Sequence, residues 1–198
     1  MIGQMMAEEQ ANRDPRIERS RKVILEATVD ELAEVGYGAL TIESVAKRAG
    51  VGKATIYRQW RGKVDLVESV LEMIRVDVVV PAEGTVRERV TGLLQGLAFY
   101  LSDSRASSCM PTMVSAAHYD DAVGDFQFRF ATERRQILVD LLSEGVATGE
   151  LDSDIDPGLT AEILAGPLFY RRLMTNEPFP AVDVPKLVEA VLGRPTKR

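Results

Sequence analysis

Thr55, Arg58 and Gln59 stand at i, i+3 and i+4 in the segment KATIYRQW, residues 53–60, so on a helix they share one face. The groups on that face match base edges. Arg58 can bond guanine O6 and N7, Gln59 adenine N6 and N7, and the Thr55 methyl can meet the methyl of thymine. The surrounding charge suits a polyanion: residues 41–63 hold six cations, Lys47, Arg48, Lys53, Arg58, Arg61 and Lys63, against one acid, Glu43. The whole chain carries −6, yet residues 1–63 have 11 Lys and Arg against 9 Asp and Glu, leaving the excess of acid to the remainder. A basic patch on an acidic body favours phosphate while limiting indiscriminate adhesion.

Short helices must hold that face. Residues 15–35 keep apolar residues at near-helical spacing, with Asp14 as a cap and Pro15 at the first helical position. Gly36 and Gly38 end this helix around Tyr37. Thr41 offers a hydroxyl cap to a second helix over 42–49, whose inward face is Val45, Ala46 and Ala49. Gly50 permits the tight bend that follows, and a third helix is expected over about 53–60. Val51 and Ile56 close a small core with Val45 and Ala46, and Trp60 should pack against the first helix and a fourth that starts near Val64. Two short helices joined at a glycine, the second too polar on one face to be buried, form a helix-turn-helix pattern. A helical hairpin with a solvated charged face is the plain alternative.

The exact residues add to this. ILEATVDELAEVGYGALTIESVAKRAGVGKATIYRQWRGKVDL, residues 24–66, resembles the amino-terminal domain of the TetR family of bacterial transcriptional repressors. The likeness runs without a gap from Ile24–Leu25 and Ala27 through Gly36–Tyr37, Thr41, Val45–Ala46, Ala49–Gly50–Val51, Lys53, Thr55, Ile56–Tyr57 and Trp60 to Lys63. It implies that Thr41 and Tyr57 hydrogen-bond phosphates, that Lys63 does so with charge, and that Lys53, Ala54, Thr55, Arg58 and Gln59 approach bases or the flanking backbone. It also matches Arg13 and Arg16 to an arm that some members place near the minor groove, diluted here by Asp14 and Glu18. Glu43 departs from the pattern, since family members often carry a base there; an acid repels phosphate or accepts from cytosine N4.

The expected fold is therefore all-α: an arm at 1–14, a three-helix helix-turn-helix domain at 15–63, and, joined by a connecting helix, a helical-bundle domain at 64–198 for dimerisation and effector binding. Helices are expected over about 85–102, 106–118, 121–148, 158–175 and 184–192, with 76–80 as a fraying helix end rather than a strand. LAGPLFYRRLMTNEP, residues 164–178, looks like the corresponding stretch in one subgroup of the family, with Gly166–Pro167 kinking or starting a helix. By that resemblance Leu164, Leu168, Phe169 and Leu173 are expected at the interface of an isologous homodimer; an internal core stripe explains the same residues. Phe99, Met110, Met113, Phe126 and Phe130 are the large or adaptable apolar residues available to a pocket for a small apolar or amphipathic effector, with His118 as a helix-terminal or pocket polar group.

What the sequence lacks narrows the function. One histidine and one cysteine, Cys109, leave no zinc-type ligand set and no internal disulfide, so no metal or cofactor is expected. There is no Gly-rich phosphate loop and no nucleophile elbow, so no catalytic residue is assigned and an enzyme is unsupported. No run of 18 apolar residues spans a membrane and the start is no secretory signal, which leaves a cytoplasmic protein as the default. The reading that results is a repressor of double-stranded DNA released from a palindromic operator by an effector; a DNA-binding regulator with no small effector, an activator or an architectural factor, is the alternative.

Overall fold

The computed structural model describes residues 15–73, 80–103, 105–175 and 177–193. The chain divides into two compact units, Met1–Arg75 and Val76–Arg198. Arg13, the arm at 1–14 and most of 76–80 lie outside the described residues.

In the first unit, α1 spans Pro15–Ala39 with a break at Gly36, whose φ of 77° and ψ of 167° belong to a region open essentially to glycine. α2 (Ile42–Ala49), α3 (Lys53–Tyr57) and α4 (Lys63–Met73) follow. The core is Ile24, Leu25, Val29 and Leu32 from α1, Val45 and Ala46 from α2, Ile56 from α3, and Leu66, Val67 and Val70 from α4, all buried. Trp60 is 2% exposed; its indole N–H donates to Ser69 Oγ at 2.9 Å, and the Arg21 guanidinium lies 4.8 Å from its ring centroid. The tryptophan therefore packs between α1 and α4 as expected. The apolar face of α4 is buried in this unit too, and the two compact units divide after Arg75, whereas the sequence pattern puts the division after Lys63.

The second unit contains α5 (Val86–Asp103), α6 (Arg105–Ala116), α7 (Asp121–Thr148), α8 (Pro157–Tyr170), a π-helical turn (Arg171–Thr175), a 3-10 turn (Ala181–Asp183) and α9 (Val184–Leu192). Three of these starts have a visible physical cause. Thr85 and Glu88 form a capping box on α5, with Thr85 N–H donating to Glu88 at 2.8 Å and Glu88 N–H to Thr85 at 3.2 Å. The Glu150 carboxylate takes two further N–H groups of that turn, from Val86 at 2.9 Å and Arg87 at 3.1 Å. Asp120 caps α7 and Asp156 caps α8, where Pro157 takes the position whose N–H would go unused.

One core joins α5, α7, α8 and α9: Val90, Leu94, Leu101, Leu142, Leu164, Leu168, Val184 and Val188 are all but inaccessible. Among the described residues there is no strand, and no helix is long and apolar enough to cross a membrane. Pro167 does not start a helix, since α8 runs through it from Pro157 to Tyr170, and the π-helical turn follows.

Candidate nucleic-acid interface

α2 begins where its sequence says it should. Thr41 Oγ1 accepts the Ser44 N–H at 3.0 Å, and Ser44 Oγ accepts the Thr41 N–H at 3.2 Å, a reciprocal cap. The Thr41 hydroxyl thus keeps its proton for an outside acceptor, on an exposed residue. α2 ends at Gly50, with φ 67° and ψ 30°, the left-handed conformation that lets the chain turn at once toward α3. The Val51 N–H closes the turn on Ala46 O at 3.0 Å.

α3 is shorter than expected, ending at Tyr57 rather than near Trp60, because the N–H groups of both Gln59 and Trp60 converge on Ile56 O at 2.9 Å and tighten the last turn. Its outward groups still gather. Lys53, Ala54, Tyr57 and Arg58 are exposed, Thr55 and Gln59 are half-buried, and Ile56 is buried beneath them. Arg58 Nη2 donates to Thr55 Oγ1 at 3.4 Å, so the two candidate base readers lie side by side. Tyr57 is 56% exposed, which excludes pure packing.

The cation cluster is less free than its count implies. Arg48 Nε donates to Glu31 Oε2 at 2.6 Å, and its Nη2 bonds Glu34, so this guanidinium ties α2 to α1. The Glu31 carboxyl is held below the usual carboxylate range by a hydrogen bond from Ser44 and then by Arg48, against the opposing effect of burial. Lys63 Nζ donates to the Tyr37 carbonyl at 2.6 Å and lies 4.0 Å from the centroid of the Tyr37 ring, a structural task that sequence spacing could not reveal. Glu43, the one acid in the cluster, receives Lys53 Nζ at 3.1 Å. Arg16 is exposed on the first turn of α1.

Comparison with known proteins agrees with this geometry. Residues 24–70 match the model of bacterial regulatory proteins of the tetR family, and residues 80–191 match that of the tetracyclin repressor-like C-terminal domain. The chain is a member of the TetR family. A relative from Bacillus subtilis, the HTH-type transcriptional regulator YdeS, is 33% identical over 165 residues, 82% of this chain and 83% of its own. The Bacillus subtilis fatty acid metabolism regulator protein is 26% identical over 155 residues, 72% of this chain and 76% of its own. The crystal structure of FadR from the same organism, in complex with stearoyl-CoA, superposes with a TM-score of 0.72 at 19% identity, covering 87% of this chain and 97% of that one, which establishes the fold. The TetR-family chain is a DNA-binding transcriptional regulator, and the relatives named here are regulators by their descriptions.

Other site residues fare unevenly. Leu164 and Leu168, expected at a dimer interface, are fully buried in the core of their own unit, and Phe169 packs against that core; Leu173 is half-buried. The outward face of α8 instead carries Leu159, Ile163 and Tyr170, continued by Met174, with exposures of 56, 47, 61 and 72%. Of the pocket residues, Met113 is buried and Met110 half-buried, while Phe126 and Phe130 are half-buried and stacked with centroids 6.2 Å apart. Phe99 is 75% exposed and His118 is exposed, so neither lines an interior: Phe99 points off α5, and His118 lies in the turn that ends α6. Cys109 is buried as a small hydrophobe, and among the described residues no cluster of His, Cys, Asp and Glu could hold a metal ion.

Proposed function

We propose that this TetR-family regulator is a homodimeric repressor, working in the cytoplasm on a palindromic operator and released by a small apolar or amphipathic effector. The observation that carries the reading is the Thr55–Arg58 pair, Thr55 half-buried and Arg58 exposed, beside an Ile56 that is locked into the core. In this reading Thr55, Arg58 and Gln59 read base edges, Lys53 and Ala54 approach the flanks, and Thr41 and Tyr57 donate to phosphates. Lys63 joins them with its charge, and Arg16 lies toward the arm.

Dimerisation rests on the outward stripe Leu159, Ile163, Tyr170 and Met174. α8 is apolar on both sides, and a helix of that kind is covered on both sides. The effector is assigned to the second unit, near Met110, Met113, Phe126 and Phe130. A relative named for fatty acid metabolism supports an amphipathic ligand.

Selection of bound duplexes from a random pool tests the first part. A two-fold symmetric consensus is the expected result, and an asymmetric or unselective pool would refute dimeric reading. A thermal-shift panel of acyl-CoA and hydrophobic small molecules tests the second: a ligand that binds the folded chain raises its melting point, and the same ligand should lower operator affinity.

A further inference from the structure

Glu43 lies at the second position of α2 and Lys53 at the first of α3, and their side chains meet at 3.1 Å across the bend between the two helices. Both are largely in solvent, with 77 and 56% of the side chains accessible, so the pair contributes little to the fold. Its consequence lies in the field at the binding face. Arg48 is already held by Glu31 and Glu34, and Lys63 by Tyr37. Sequence-independent binding to duplex DNA is a count of cations that replace counterions at phosphates, and Glu43 subtracts from that count at the first residue of the reading helix. Base contacts by Arg58 and Gln59 do not depend on Lys53 and lose nothing.

We propose that Glu43 is a specificity-determining residue: an intramolecular counter-charge that neutralises Lys53 and suppresses binding to non-operator DNA. The inference rests on the DNA-reading role of α3 proposed above. In a complex held by charge alone, a freed Lys53 counts fully. In the operator complex the base contacts fix the register, and the freed cation adds less.

The test measures affinity of the full chain for a random-sequence duplex and for the selected operator across a salt series, in wild type, Glu43→Gln, Lys53→Gln and the double variant. Glu43→Gln is expected to tighten random-duplex binding roughly eight-fold at about 0.1 M salt, and to steepen log K against log salt by about 0.9, the value of one phosphate contact. The operator should gain less, so the selectivity ratio falls. In the Lys53→Gln background the Glu43→Gln change should have no effect. An unchanged random-duplex affinity overturns the proposal, as does an equal gain without Lys53, which would make Glu43 a distant charge only. Loss of operator affinity with relaxed choice at a single base pair also overturns it and assigns Glu43 to a base. Failure of the wild type to bind any duplex at low salt would instead refute the DNA-reading role, and this proposal with it.

Discussion

The Lys63 ammonium sits 4.0 Å from the Tyr37 ring centroid and donates to the Tyr37 carbonyl at 2.6 Å, joining the first residue of α4 to the place where Gly36 breaks α1. The last carbonyls of a helix are favourable acceptors for a charged donor, and Lys63 supplies one. Lys63 therefore holds the frame behind the reading head.

Lys63→Met should cost about 1–2 kcal/mol of stability in the first unit, from a charge-assisted hydrogen bond and a cation–π contact at a half-exposed site. Trp60 is the sole tryptophan and is buried in that unit, so its fluorescence during urea unfolding reports the unit by itself. A variant with unchanged midpoint but a shallower salt dependence of DNA binding would show that Lys63 serves phosphate alone.

The Glu31 carboxyl gives a pH signature. Its pKa is lowered in the folded chain, chiefly by the Ser44 hydrogen bond and also by Arg48, so the unfolded chain binds the proton more readily. The stability it supplies is complete above the ordinary carboxylate range and is lost as pH falls through the lower folded value. The gap in Trp60-monitored midpoint between wild type and Glu31→Gln should be constant from about pH 7 to 5.5 and close below about pH 4. A gap that persists in acid would assign the effect to packing.

Arg58→Ala should cost about 1–3 kcal/mol in operator binding and relax choice at one base pair, because a bidentate contact discriminates. Competition against operators altered one pair at a time reads this. Equal weakening at every sequence would place Arg58 on phosphate.

These residues differ in how far the sequence exposed them. The Thr41 cap, the Gly50 bend and the Val45–Ile56 core depend on local spacing, and the structure has them where the pattern puts them. So do the bounds of α7 and α9, set by Asp120, Gly149 and the flanking prolines. The partners of Lys63 and Glu43 lie 26 and 10 residues away on other elements, and no periodicity encodes such pairs. The two faces of α8 are hard to tell apart for a different reason. When both faces of a helix are apolar, spacing finds two stripes and cannot choose which one meets the chain's own core.

Gly145 is fixed by a close approach. A Cβ there would lie 2.7 Å from Leu151 Cγ and Cδ1 and 3.0 Å from Val86 Cγ1, all on buried residues. Alanine would favour the helix by about 0.5–1 kcal/mol, but forcing a methyl into a packed core costs about 1–3 kcal/mol. Gly145→Ala should therefore destabilise the second unit, measured by circular dichroism during denaturation. Stabilisation would mean that Leu151 moves aside freely.

The two faces of α8 separate by mutation. Leu164 is fully buried, and Leu164→Ala should cost about 2–5 kcal/mol of stability through the cavity it leaves. Ile163, one residue earlier and 47% exposed, has no such role within the chain. Ile163→Asp should leave the fold intact by circular dichroism, yet in a paired α8 it would bury a charge with no partner, which no apolar interface tolerates. Sedimentation equilibrium at micromolar concentration should then show a dimeric wild type and a monomeric Ile163→Asp chain. That monomer should lose most of its operator affinity while keeping binding to a single half-site, because a two-fold site is held by two reading heads at once. A dimer that survives the charge would move the interface off this stripe.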